Sequence, residues 1–85
     1  MNFTLKQLRY VEAAGRLGSI AKAAVEVSIS QSSITAAIDA LEASLDYGLF
    51  VRTPAKGVQP TSAGRESLQL IRNFLNQAQQ FEAEL

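Results

Sequence analysis

Apolar residues recur at helical intervals along most of this chain, and the clearest run lies in residues 31–45. There Ile34, Ile38, Leu41 and Leu45 follow at spacings of four, three and four, which lines one helical face and predicts that it packs on a core. The opposite face carries Ser32, Ala36, Asp39 and Ala43, flanked by Gln31 and Thr35. A face this small and polar suits a helix whose first two turns enter a narrow space and touch something. It equally suits an ordinary solvated surface. Just upstream, Ser19 is placed to cap a short Ala-rich helix over residues 20–25, whose small side chains allow a neighbouring helix to approach. Val27, Ser28 and Ile29 then interrupt it, and Ser30 is a second N-cap whose hydroxyl can accept from a first-turn N–H. Ile29 and Ile34 bracket that cap as a hydrophobic staple. Residues 19–45 therefore predict helix, tight turn, helix.

The flanking segments predict support for that pair. Thr4-Leu5-Lys6-Gln7 is a capping box, Phe3 and Leu8 form a staple, and Leu5, Leu8, Val11 and Ala14 recur every third residue. They predict a first helix of about three turns with Arg9 and Glu12 outward. Gly15 weakens its end and Gly18 suits a C-terminal cap. Tyr47-Gly48 is expected to break the third helix. Residues 49–53 read as a short strand with Phe50 on the face opposite Leu49 and Val51, and Pro54-Ala55-Lys56-Gly57 as a turn. Val58-Gln59 returns as a second strand that Pro60 ends. Thr61 caps a last helix of about 24 residues, about 36 Å long at 1.5 Å per residue. Its seam, Ile71, Phe74, Ala78, Phe81 and Leu85, has spacings of three, four, three and four, widened by Leu68 and Leu75. Leu68 and Ile71 can pack on the domain's own core. Phe74, Ala78, Phe81 and Leu85 extend beyond what three short helices can cover and predict a partner chain.

With 85 residues and 47% hydrophobic side chains, the chain is expected to be a single globular unit. It has no cysteine and no histidine, which removes disulfides, Cys/His zinc sites and the imidazole bases of most triads. No catalytic site, metal or cofactor is expected. Neither a membrane-spanning run nor a secretion signal is present, and a cytoplasmic location is expected. Eight basic and eight acidic residues give zero net charge, with a pI near 6.2. Residues 1–60 carry +1 and the remainder −1. Binding to nucleic acid must therefore rest on where charges stand, not on their sum.

The order of elements describes a mainly α fold: a winged helix-turn-helix of three helices and a small β-hairpin, residues 1–60, with a long linker and dimerisation helix, residues 61–85. At this point particular residues also carry a resemblance. Leu8-Arg9-Tyr10, then Gly18-Ser19-Ile20-Ala21-Lys22-Ala23-Ala24, Ser30-Gln31-Ser32-Ser33-Ile34-Thr35, Ile38, Leu41-Glu42, Leu45, Leu49-Phe50-Val51-Arg52-Thr53 and Thr61-Ser62-Ala63-Gly64 resemble the N-terminal domain of LysR-type transcriptional regulators. The likeness is gapless from about Leu5 onward.

The resemblance implies a bacterial domain that binds double-stranded DNA, with its third helix in the major groove and its wing on the flanking backbone. It also implies a homodimer formed through the last helix, by Ile71, Phe74, Leu75, Ala78, Phe81 and Leu85. A small-molecule effector is implied only for the larger C-terminal domain of such regulators, absent from these 85 residues, so the chain is expected to be a fragment. By position, Gln31, Ser32, Thr35 and Ala36 are the implied base contacts and Lys22, Ser30, Ser33, Arg52 and Lys56 the implied backbone contacts. Chemistry agrees for several of them. Gln can pair with an adenine edge, Ala36 can meet a thymine methyl, and Arg52 and Lys56 can neutralise phosphate.

The chain also departs from the family. Such regulators usually have proline where Ser32 stands, a basic residue where Ala36 stands, and often Arg or Lys at Asp39. No Lys or Arg occurs between Lys22 and Arg52, and the charges of the third-helix stretch are Asp39, Glu42 and Asp46. A helical module for protein contact, with weakened DNA binding, is the alternative that this charge pattern suggests.

Overall fold

In a computed structural model, which describes residues 2–54 and 57–85, the chain forms α1 (Leu5–Leu17), α2 (Ile20–Val27), α3 (Gln31–Leu45), β1 (Phe50–Thr53), β2 (Gly57–Pro60) and α4 (Ser62–Glu84). Each of these helices begins on a hydroxyl. Thr4, Ser19, Ser30 and Thr61 accept from the backbone N–H of Gln7, Lys22, Ser33 and Gly64 respectively, satisfying donors that a helix start otherwise leaves unpaired. At α1 the box is complete, because the Gln7 amide oxygen accepts from the Thr4 N–H at 2.8 Å.

The core sits where α1, α2 and α3 meet. Val11, Ile34, Ile38, Leu41, Leu49 and Leu68 are fully buried, each such aliphatic side chain stabilising the fold by about 1.5–3 kcal/mol relative to exposure. Ala13, Ala14, Ala23, Ala24 and Ala37 are buried with them. Small side chains at these crossings let helix backbones come close. Phe50 and Val58 bring the hairpin onto this core, and Leu68 and Ile71 bring the first turns of α4.

The strands pair antiparallel, with Phe50 opposite Pro60, Val51 opposite Gln59, Arg52 opposite Val58 and Thr53 opposite Gly57. The hairpin is fixed to the α1–α2 turn through backbone. Val58 donates its N–H to the Gly18 carbonyl at 3.2 Å, and Gly57, at φ 73°, lies so close that a Cβ there would stand 2.2 Å from the same oxygen. Only glycine fits that position.

Several expectations are corrected. α2 runs two residues further, to Val27, before Ser28 closes it in the left-handed region at φ 58° and ψ 44°. Asp46, at φ 62°, and not Tyr47-Gly48, ends α3. Leu49 and Val51 do not share a face: Leu49 and Phe50 are both buried, while Val51 is 54% exposed. Leu49 precedes the strand and is held by Glu42, whose Oε2 accepts from the N–H groups of Leu49 (2.7 Å) and Phe50 (3.3 Å), so the strand begins only at Phe50. β2 ends at Pro60 as expected, with Pro60 as its last residue and Gly57 as its first. α1 continues past Gly15 to Leu17, and the glycine leaves room for a neighbour, since a Cβ there would press on Leu68 Cδ1 at 2.8 Å. Glu12 is not outward: it is half-buried, accepts from Arg16 Nε at 3.1 Å and pairs with Arg72 at 3.5 Å.

Candidate nucleic-acid interface

α2 and α3 form the helix-turn-helix. The turn between them is closed by Ile29 N–H donating to Ala24 O at 3.0 Å and by the left-handed Ser28. Ser30 then starts α3, and its Oγ accepts from Ser33 N–H at 3.1 Å while lying 2.8 Å from Ser33 Oγ and 3.0 Å from Ser32 Oγ. Three hydroxyls are thus gathered at a helix start, where the free N–H groups carry positive partial charge.

The sequence-predicted residues divide by position. Gln31, Ser32 and Ala36 are exposed and Thr35 is half-buried, so the outward side of the first two turns of α3 is a continuous surface. The other side is the buried Ile34, Ala37, Ile38 and Leu41. Ser30, Ser33 and Lys22 are exposed, Ser30 and Ser33 at the start of α3 and Lys22 in the first turn of α2, and among the described residues no ion pair involves Lys22. Hydroxyl contacts bring Ser30, Ser32 and Ser33 together, and Gln31, Thr35 and Ala36 share the first two turns of α3 with them. Lys56 lies outside the described residues.

Arg52 is different. From β1 it reaches back to α3, where Nη2 donates to Asp39 Oδ1 at 2.7 Å and to Glu42 Oε1 at 3.4 Å. This wing cation is paired within the protein. This triad spans thirteen positions, and periodicity gives no sign of it. The signal available was the isolation of two acids on a helix without a cation, followed by the next Arg in the sequence.

A second ionic cluster ties α1 to its neighbours. Arg16 bonds Glu26 of α2 and also Glu12, at 3.1 Å, and Arg72 of α4 reaches Glu12 at 3.5 Å. Hydrogen bonding to Arg16 holds the Glu26 carboxyl below the usual glutamate range. The bonds to Glu26 and then Glu12 raise the Arg16 guanidinium above its ordinary value. The cluster positions α2 relative to α1.

On α4, Ile71 and Leu68 face the domain's own core, and Leu75 and Ala78 are half-buried. Leu70, Phe74, Phe81 and Leu85 are 69%, 43%, 64% and 90% exposed. Their spacings of four, seven and four continue a heptad. Leu70 was missed from sequence because its neighbour Ile71 fits the same period. Beside this row, Phe3, Leu41, Leu45, Leu70 and Phe74 help line an open apolar groove of about 270 Å³. Among the described residues, no group of acidic side chains is arranged to hold a metal ion, and no helix is long and apolar enough to cross a membrane.

Residues 5–65 match the model of the bacterial regulatory helix-turn-helix protein, lysR family. The chain belongs to the LysR family. It is 40% identical over 67 residues to the HTH-type transcriptional regulator CbbR of Xanthobacter flavus, an alignment covering 79% of this chain and 20% of CbbR. The chain thus spans about a fifth of that regulator's length. Among solved structures, a CbnR_DBD-DNA complex superposes with a TM-score of 0.89 at 33% identity, covering 96% of this chain and 93% of that one. A BenM_DBD/benA site 1 DNA complex superposes at 0.88 with 28% identity, covering 96% and 94%. Four helices and a two-stranded antiparallel hairpin are the winged helix-turn-helix of LysR-type DNA-binding domains. These matches favour DNA binding over the protein-contact module.

Proposed function

We propose that this domain recognises an operator for a bacterial LysR-type transcriptional regulator, with α3 in the major groove and the hairpin on the flanking backbone. The observation that carries the reading is the exposed, uncharged surface of Gln31, Ser32 and Ala36 with Thr35 beside them, set on a helix whose far side is anchored in the core. Gln31 and Thr35 supply donors and acceptors for base edges, and Ala36 supplies a methyl for thymine. Ser30, Ser33 and Lys22 hold phosphates on one side, and Arg52 and Lys56 of the wing on the other. These contacts bind; they carry out no reaction.

Residues 1–60 form the reading unit and residues 61–85 the pairing unit. The exposed row of Leu70, Phe74, Phe81 and Leu85 favours a two-fold dimer through α4, with Ala78 and Leu75 at its edge and Ile71 beneath. Two copies then present two α3 helices, so the preferred site is an interrupted inverted repeat with half-sites about one helical turn apart or a multiple of it. In a longer regulator a small-molecule effector would act through a further domain, and the protein would work in the cytoplasm, where the bacterial DNA is.

Selection from a random duplex pool, followed by titration of the selected and unselected DNA at low and high salt, tests the reading. Enrichment of an inverted repeat is expected. Inserting about five base pairs between half-sites turns one to the opposite face and should abolish the preference. A pool that emerges unenriched would overturn the assignment.

A further inference from the structure

We infer that Asp39 restrains Arg52 from DNA phosphate, so that this wing cation engages the backbone only by leaving an internal carboxylate. This rests on the DNA-binding reading above. It concerns how much of that binding is independent of sequence.

The two acids that meet Arg52 have different work. Glu42 is only 21% exposed and accepts the N–H groups of Leu49 and Phe50 through Oε2, touching Arg52 at a long 3.4 Å. It holds the entry to β1. Asp39 is 59% exposed and accepts from Arg52 Nη2 at 2.7 Å. It holds the guanidinium. Charges of +1, −1 and −1 leave the three side chains at −1, on a helix that carries no Lys or Arg.

An ion pair this open to water is weak and exchangeable. Phosphate oxygens offer a guanidinium the same planar, charge-assisted partner as a carboxylate. Arg52 can therefore change partners, but each exchange leaves Asp39 unpaired beside a polyanion. The pair subtracts from the phosphate term, which all sequences share. Discrimination is then left to the uncharged residues at the start of α3.

A double-mutant cycle on the 85-residue chain tests this with a random 20-base-pair duplex over a salt series. Asp39→Ala is compatible with the helix, since alanine is the strongest helix former; thermal unfolding of every variant checks the fold. Asp39→Ala should tighten random-duplex binding by roughly up to fivefold per protomer and steepen the salt slope by about 0.9 per protomer. In an Arg52→Ala background the same change should yield a distinctly smaller gain, because only the repulsion between Asp39 and phosphate is then relieved. An equal gain in both backgrounds would make Asp39 a general repulsive charge and overturn the inference. So would no gain in either background, or a changed base preference with random-duplex affinity unaltered. Absence of all DNA binding by the unmodified chain would instead overturn the reading on which the inference rests, and the inference with it.

Discussion

Gly64 and Leu49 touch through backbone alone: a Cβ built on Gly64 would stand 2.0 Å from the Leu49 carbonyl oxygen and 2.9 Å from its carbon. The same carbonyl accepts the Thr61 N–H at 2.9 Å, and the Thr61 hydroxyl donates to Gly48 O at 2.8 Å while capping α4. The start of α4 is thereby locked onto the segment between α3 and β1.

Helix propensity alone says that Gly64→Ala stabilises α4 by about 1 kcal/mol. Contact with Leu49 reverses the sign, because neither backbone can rotate away as a side chain could. A loss of about 1–3 kcal/mol is expected from the overpacking, read as a lower urea midpoint. A raised midpoint would show that α4 is not seated against Leu49.

Gln31→Ala and Thr35→Ala should each weaken binding to the selected operator by about 1–3 kcal/mol and leave binding to random duplex nearly unchanged. Titration against both DNAs measures the difference. If discrimination survives both substitutions, the outward side of α3 is not the reader.

Phe74 and Phe81 are already 43% and 64% exposed in the single chain, so replacing both with Glu should leave the fold intact. The double variant should sediment as a monomer under conditions where the unmodified chain is a dimer, with a thermal midpoint close to the original. A dimer that persists would move the contact away from this side of α4.

The Arg16–Glu26 pair has a defined pH signature. Glu26 is held below its ordinary value when folded, so its contribution is present above the unfolded glutamate value of about 4.3 and fades as pH falls through the lower folded value. Arg16 stays charged throughout. Thermal midpoints should therefore fall more steeply below about pH 4.3 for the unmodified chain than for Glu26→Gln, by a small amount because the pair is on the surface. Parallel curves would mean that the pair does not form in solution.

Much of this scaffold is legible from local chemistry. Thr4, Ser19, Ser30 and Thr61 each start the helix expected of them, since a cap depends on residues within one turn. The stripe of Ile34, Ile38 and Leu41 is buried as its period requires. What escaped depends on residues far apart in sequence. Leu49 is a strand residue by composition, yet Glu42, seven positions earlier, takes its N–H and delays the strand. Leu70 and Ile71 lie about 100° apart on α4, and only packing against the core decides which one faces outward. The candidate reading surface was legible as a set because its members share the first two turns of one helix. The pairing of Arg52 with Asp39 was not, since it requires β1 to return across α3.

The backbone contact of Gly57 and Val58 with Gly18 joins the hairpin to the very turn that launches α2. The wing and the helix-turn-helix are therefore joined at one point, like the two arms of a caliper. On the proposed binding mode, a duplex with a narrower or wider groove would be met by deformation of the DNA itself, and sequences at positions touched by neither arm would then enter the recognition.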